Sequence, residues 1–274
     1  MRGVPERDLL ERDERARPWS ERVPGARAGV VVVHGFTSTP QSVHGWARAF
    51  ADAGCSVDVP LLPGHGRTVA ACNASTWPQW LAEVVAALRR LREHHDVVVV
   101  AGISLGGALA LRAAQLHPEL VDGLVLANPA TGLTRPLELA VEVLGRVRAT
   151  RPAIAGDIAA PGVVELAYER TPLRALRSQA ALWRHVRRDL PLVRQPVLLL
   201  RSAVDHVLPP SSSARVLASV SSADVTEVVH RDSFHVLTLD RDAPAAFAES
   251  VAFVRRLADG LTPGPPGPAG APAS

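Results

Sequence analysis

The feature of this sequence that most constrains the fold is an apolar strand pattern that turns abruptly into a helical pattern at Ser104. Residues 97–100 are all valine, Gly102-Ile103-Ser104-Leu105-Gly106 follows, and an alanine- and leucine-rich segment comes next. In a strand–turn–helix of this kind the serine backbone is strained and its hydroxyl is exposed, while the glycines let strand and helix pass closely. The pattern therefore predicts that Ser104 is a nucleophile.

A serine nucleophile needs a base and an acid, and the chain supplies both downstream in the expected order of serine, acid and histidine. Asp205 is the first strong acid after a buried-strand pattern, and His235 lies after a second strand pattern thirty residues later. We predict that His235 accepts the Ser104 proton and that Asp205 orients the imidazole. Asp232, three residues before His235, is an alternative orienter, but it lacks the strand-end context of Asp205.

Attack on a carbonyl also requires two main-chain N–H groups directed at the oxygen that becomes negative. Leu105, directly after the serine, supplies one of them. We predict the other at Phe36, because the apolar strand pattern at residues 29–33 ends in His34-Gly35-Phe36. His34 and His65, which lie in loops of this region, are predicted to brace the loops rather than to take part in the chemistry.

Strand and helix patterns alternate through the first half of the chain. We predict strands at residues 29–33, 56–59, 97–100 and 124–127, and helices at 43–53, 77–94 and after Ser104. This alternation is typical of an α/β fold with a mostly parallel central sheet flanked by helices. Catalytic groups in such sheets gather at the carboxyl ends of the strands, which is where the predicted site residues fall.

The pattern also divides the chain into segments. Residues 1–27 alternate Arg with Glu and Asp and are predicted to be a charged, loosely attached N-terminal extension. One domain is predicted over residues 28–258, with a small helical cap at about 131–192, where helical patterns at 136–148 and 171–188 occur without a convincing strand. Residues 259–274, rich in Pro, Gly and Ala, are predicted to be a disordered tail.

Several motifs together resemble the small bacterial carboxylesterases and monoacylglycerol lipases of the α/β-hydrolase fold. They are His34-Gly35-Phe36-Thr37, Pro60-Leu61-Leu62-Pro63-Gly64-His65-Gly66, Gly102-Ile103-Ser104-Leu105-Gly106-Gly107, Asp205-His206-Val207-Leu208-Pro209 and Ser233-Phe234-His235-Val236-Leu237. The resemblance covers about residues 28–258. It implies a triad of Ser104, Asp205 and His235 with oxyanion donors at Phe36 and Leu105, in agreement with the roles argued above.

The resemblance also carries one departure and one implication. The residue before the base is usually glycine in this family, and here it is Phe234, which is expected to crowd the base or to line the pocket. A cap at this position forms part of the acyl-binding wall in the family. The cap residues expected in that wall are Leu137, Leu144, Ile154, Ile158 and Leu166, with ordinary packing as the alternative for each.

Composition limits the other classes of function. All 30 basic residues are arginine, but the formal net charge is only +3, so a nucleic-acid partner is not predicted from a pI of about 9.6. We expect no membrane-spanning segment, because no apolar stretch approaches the ~20 residues that a spanning helix needs. A cytoplasmic protein with free thiols at Cys55 and Cys72 is expected. No metal or cofactor is predicted, since no cluster has the spacing of zinc ligands.

The sequence thus predicts a serine carboxylic ester hydrolase that acts through an acyl-enzyme on short- to medium-chain monoesters, with a small-molecule ester as its partner. The same triad also serves thioesterases and amidases, because it specifies acyl transfer rather than the leaving group. A low-turnover ligand-binding protein on the same fold is the alternative from a different class.

Overall fold

A seven-stranded sheet forms the centre of the molecule in the computed structural model, which describes residues 13–152 and 156–260. Its strands are β1 (Trp19–Glu21), β2 (Ala28–Val33), β3 (Ser56–Val59), β4 (Val97–Ile103), β5 (Gly123–Ala127), β8 (Val197–Ser202) and β9 (Val225–His230). The strand order is β1-β3-β2-β4-β5-β8-β9, and only the pairing of β1 with β3 is antiparallel. The expected mostly parallel α/β sheet is confirmed.

Helices cover both faces of this sheet. They are α1 (His44–Asp52), α2 (Val69–Asn73), α3 (Trp77–Arg92), α4 (Leu105–Leu116), α5 (Arg135–Val147), α6 (Leu173–Asp189), α7 (Ser211–Ser219) and α8 (Ala243–Ala258). Successive side chains of a strand point to opposite faces. In β2, Val31 and Val33 accordingly pack with α3 and α4 on one face, whereas Val30 and Val32 pack with α1 and α8 on the other.

The N-terminal segment differs from the sequence-based expectation. Within residues 1–27, expected to be loosely attached, Trp19–Glu21 form an edge strand of the central sheet. The Trp19 and His44 ring centroids are 5.2 Å apart, and the Arg48 guanidinium lies 4.7 Å from the centroid of the Trp19 ring. Residues 1–12 and the predicted tail from residue 261 onward lie outside the described residues.

The expected cap interval lies between β5 and β8 and contains α5 and α6. It also contains two short strands, β6 (Thr150–Pro152) and β7 (Arg170–Pro172), which pair antiparallel. The expectation of no strand here was wrong. Each strand is only three residues long and pairs with a segment about twenty residues away, so the local sequence carries no strand pattern. α6 is fastened to α4, since Arg112 Nη1 lies 2.6 Å from Asp189 Oδ2.

The parallel order brings the ends of β2, β4, β8 and β9 to one edge of the sheet, and the loops that follow them carry the predicted site residues. In the described part of the chain, no helix has the length and apolar character needed to cross a membrane.

Candidate active site

The turn at Ser104 has the strained geometry that the sequence predicts. Ser104 has φ 54° and ψ −113°, and its N–H donates to the Ala127 carbonyl oxygen at 3.0 Å. The turn requires glycine, because a Cβ on Gly106 would lie 2.1 Å from the Val33 carbonyl oxygen and one on Gly102 would lie 2.3 Å from the Gly106 carbonyl carbon. Strand and helix therefore pass at backbone distance and hold the serine at the edge of the sheet.

Asp205 and His235 meet beside this turn. Asp205 Oδ2 lies 2.7 Å from His235 Nδ1, and Oδ1 accepts hydrogen bonds from the Val207 and Leu208 N–H groups, both at 2.8 Å. Burial by itself raises the pKa of the Asp205 carboxyl, but the hydrogen bond and charge of His235, with the two N–H groups, outweigh it and hold the pKa below its ordinary value. The carboxylate is thus kept ionised where it can orient the imidazole.

The loop that carries His235 is held by residues that sequence reasoning missed. Asn128 Nδ2 donates to the His235 carbonyl oxygen at 2.9 Å, and Ser202 Oγ donates to the Phe234 carbonyl oxygen at 2.7 Å. Asn128 also accepts from the Ser202 N–H at 2.9 Å, and its φ is 41°. The available signal was a polar residue directly after the apolar strand β5.

The loop after β2 passes directly beside the serine. A Cβ on Gly35 would lie 3.7 Å from the Ser104 Cβ, and Thr37 has a positive φ of 64°. Phe36 therefore lies in a constrained turn near Ser104. Leu105 is the first residue of α4, and the first N–H groups of a helix have no partner within it. Both donors nominated from the sequence are thus in this region of the structure.

Two buried histidines brace these loops. His34 Nε2 accepts from the Leu62 N–H at 3.2 Å, and His34 Nδ1 lies 2.9 Å from the Gly35 carbonyl oxygen. Burial lowers the pKa of His34 to about 3, with the neighbouring His65 as a smaller cause, and burial lowers the pKa of His65 to about 4. Both rings are therefore neutral near pH 7, and His34 Nδ1 is the donor to Gly35.

Ser104 and His235 line a cavity of about 340 Å³ that extends under the cap. Its apolar wall from the cap consists of Leu133, Leu137, Ala140, Val141, Leu144, Leu173, Leu176 and Trp183. Leu137 and Leu144 were expected there. Ile158 instead packs against the core on the α1 and α8 face, Leu166 is not among the described residues that line the cavity, and Ile154 lies outside the described residues.

Polar side chains interrupt this wall near the serine. Asp157, Glu165 and His206 line the cavity together with Ser104 and His235. Burial raises the pKa of the Glu165 carboxyl above its ordinary value, although hydrogen bonding with Ser38, the charge of His235 and hydrogen bonding with the Gly156 main chain act in the opposite direction. The cavity thus combines apolar side chains of the cap with polar groups beside Ser104 and with Arg151, Thr171 and Gln179 of the cap, which suits an amphiphilic molecule.

Phe234 and Asp232 do not take the positions beside His235 that the sequence suggests for them. The Phe234 ring packs edge-on against His206, with 4.7 Å between ring centroids, and Phe234 is not among the described residues that line the cavity. Asp232 is exposed, and Asp205 is the carboxylate that contacts His235. Cys55 and Cys72 are both buried and free. Over residues 13–152 and 156–260, no three His, Cys, Asp or Glu side chains gather as a metal site would require.

A family model described as "Serine aminopeptidase, S33" matches residues 24–242. The chain belongs to this family. It is 35% identical over 232 residues to the thermostable monoacylglycerol lipase of Bacillus sp. (strain H-257), which covers 84% of this chain and 91% of that protein. It is 22% identical over 240 residues to the carboxylesterase of Bacillus subtilis (strain 168), which covers 85% of this chain and 94% of that protein.

Solved structures agree with this assignment. A structure from the work on LipS and LipT, two metagenome-derived lipolytic enzymes, matches with a TM-score of 0.84 and 38% identity over 88% of this chain and 98% of that chain. The monoacylglycerol lipase of Paleococcus ferrophilus, at 19% identity, shares the fold with a TM-score of 0.70 over 86% of this chain and 97% of that chain. The protein is a serine ester hydrolase with the α/β-hydrolase fold, as the sequence predicts.

Proposed function

We propose that this ester hydrolase cleaves short- to medium-chain monoesters, monoacylglycerols among them, through an acyl-enzyme on Ser104. The observation that carries the proposal is the common position of Ser104, the Asp205–His235 pair and an apolar cavity at one edge of the sheet. The cavity volume of about 340 Å³ is near the small end of the roughly 300–1,000 Å³ range typical of ligand pockets. That volume suits a single acyl chain.

The proposed reaction follows from the positions of these groups. His235 takes the hydroxyl proton as Ser104 Oγ attacks the ester carbonyl, and Asp205 stabilises the imidazolium that forms. The Phe36 and Leu105 N–H groups bind the tetrahedral oxyanion. The intermediate collapses and the alcohol leaves with the proton from His235. Water then attacks the acyl-enzyme and gives a proton to the same imidazole. His235 returns that proton to Ser104 Oγ as the acid is released.

The position of Glu165 favours an ester whose alcohol part carries free hydroxyl groups, such as a glycerol ester. The Glu165 carboxyl lines the cavity on the polar side, where its oxygens can accept hydrogen bonds from hydroxyl groups. A glycerol monoester has two free hydroxyls to pair with such a group, whereas a simple alkyl ester has none. The Bacillus relative at 35% identity is named a monoacylglycerol lipase, which agrees with this choice.

The first test is turnover of p-nitrophenyl esters of graded acyl length by the wild type and by Ser104→Ala. Removal of a serine nucleophile from a triad leaves at most a small residual rate, so we expect a loss of at least about 1,000-fold. We also expect a maximum at short or medium chain length in the wild type. Equal rates for both proteins would overturn the proposal, and wild-type turnover of thioesters or amides alone would reassign the leaving group.

A second test addresses the alcohol part. Glu165→Gln keeps the size of the side chain, and Glu165→Leu removes its hydrogen bonds; both are compared on the glycerol monoester and the ethyl ester of the same acid. We expect Glu165→Leu to lower kcat/KM for the glycerol ester by about 10-fold or more, in line with 1–3 kcal/mol for an unpaired polar group. The ethyl ester should change by less than about 3-fold. Equal losses on both esters would contradict a role in alcohol recognition.

The proposed place of action is the cytoplasm. The free, buried thiols of Cys55 and Cys72 support a reducing compartment, since disulfides are rare there.

A further inference from the structure

Asp157, in the segment that follows α5 and β6, contacts two loops of the active site at once. Its Oδ2 accepts hydrogen bonds from the main-chain N–H groups of His206 and His235, each at 3.1 Å. Its Oδ1 lies 2.7 Å from His206 Nδ1. One carboxylate oxygen thus joins the residue after the proposed acid to the proposed base itself.

This position matters because the main-chain pairing of β8 and β9 ends before both loops. The hydrogen bonds of Asn128 and Ser202 hold the base loop, but within the described residues neither side chain bonds to Asp205 or His206. β8 and β9 pair up to Ser202 and His230, and Asp205 and His235 lie three and five residues past those ends. The 2.7 Å contact between Asp205 Oδ2 and His235 Nδ1 therefore depends on what holds the loops after they leave the sheet. Asp157 bridges them at this point, and its side chain is only 10% exposed.

We propose that Asp157 is a positioning residue, whose carboxylate holds the acid loop and the base loop at the separation that aligns Asp205, His235 and Ser104. The inference rests on the proposed function of that triad. A misplacement of about 1 Å in a catalytic group can cost on the order of 100-fold in rate. Loss of the bridge should accordingly lower kcat and leave KM nearly unchanged, because Asp157 orients the base rather than the bound ester.

A second carboxylate provides a matched control. Asp240 accepts hydrogen bonds from the N–H groups of Ala159 at 2.7 Å, Ala160 at 2.9 Å and Phe234 at 2.8 Å. It therefore fastens the same segment to the base loop. Within the described residues, none of its hydrogen bonds reaches the acid loop. Removal of Asp240 loosens the attachment of the segment to the base loop. Removal of Asp157 also breaks the connection between the acid loop and the base loop.

The experiment compares the wild type with Asp157→Ala, Asp157→Asn and Asp240→Ala. Hydrolysis of p-nitrophenyl butyrate gives kcat and KM, a p-nitrophenyl phosphonate that labels the reactive serine gives the concentration of competent sites, and thermal unfolding gives Tm. We expect Asp157→Ala to lower kcat per labelled serine by about 10- to 100-fold, with KM within about 3-fold. Asp157→Asn retains an oxygen that can accept from both N–H groups and should stay within about 5-fold of the wild type.

The control should behave differently. We expect Asp240→Ala to lower Tm by an amount similar to Asp157→Ala, with kcat per labelled serine within about 3-fold of the wild type. An unchanged kcat in Asp157→Ala, or an equal fall in Asp240→Ala, would overturn the inference. If Asp157→Ala does not fold, Asp157→Ser shortens the side chain away from both N–H groups and replaces it in the comparison. An inactive wild type would instead contradict the proposed function.

Discussion

At the scale of single residues, burial strongly lowers the pKa of two histidines that the proposed chemistry does not use. The rings of His34 and His65 are 5.2 Å apart, and both side chains are almost fully buried. Burial holds their pKa values at about 3 and about 4, compared with 6.5 for an exposed histidine. The folded protein therefore binds fewer protons at these sites than the unfolded chain does below pH 6.5.

This difference predicts a loss of stability in mild acid. Each histidine contributes stability above its unfolded pKa of 6.5, and the contribution falls as the pH decreases toward the folded value of about 3 or 4. Between pH 7 and pH 5 we expect roughly 2 kcal/mol of lost unfolding free energy per histidine. Urea unfolding at several pH values measures how the free energy of unfolding changes with pH. His65→Asn should halve the part of that change that the His34–His65 pair contributes.

His94→Gln is the matched control, because His94 is half-exposed and lies outside the buried His34–His65 pair. The part of the pH dependence due to the pair is the change in His65→Asn beyond that in His94→Gln. An unaltered pH dependence in His65→Asn would mean that other groups carry the acid sensitivity.

At the scale of secondary-structure elements, α5 has two surfaces with different consequences for the substrate. Leu144 lines the cavity, whereas Leu139 on the same helix is 66% exposed. Leu144→Trp adds volume to the cavity wall and should shift the preferred acyl chain of p-nitrophenyl esters to shorter lengths. If two carbons of the acyl chain no longer fit in the cavity, about 1.6 kcal/mol of binding free energy is lost. This corresponds to a fall of about 15-fold in kcat/KM for the longest chains.

Leu139→Trp makes the same change on the outer surface and should leave the chain-length profile unaltered. If both variants shift the profile equally, or neither does, α5 is not part of the acyl wall.

The elements found from the sequence are those whose pattern is local. The strand–turn–helix at Ser104 and the alternating strands and helices follow from apolar periodicity, and the structure has them within a few residues of the predicted bounds. β1 was missed because Trp19-Ser20-Glu21 has no strand pattern of its own and is defined by its pairing with β3. Asp157 was missed for a similar reason, since the atoms it contacts belong to residues 49 and 78 positions away.

At the scale of the whole molecule, the cap helix α6 is joined to α4, the helix that begins directly after Ser104. Gln115 Nε2 donates to the Val186 carbonyl oxygen at 3.0 Å, and Arg112 forms a largely buried ion pair with Asp189. The guanidinium of Arg188 and that of Arg112 hold the pKa of the Asp189 carboxyl well below its ordinary value, although burial acts in the opposite direction. The cap is thus attached to the helix that begins directly after Ser104.

We expect the loss of Asp189 to destabilise the protein more than the loss of its partner Arg112. Asp189→Leu leaves the buried Arg112 charge with the Gln115 amide as its described partner, and we expect a cost of about 3–5 kcal/mol in urea unfolding. Arg112→Met should cost less, because Asp189 keeps its hydrogen bonds to the exposed Arg188. The double variant removes both charges and should recover most of the loss, since apolar residues can replace a buried pair at little net cost. A double variant whose loss equals the sum of the single losses would mean that the Arg112 and Asp189 charges do not stabilise each other.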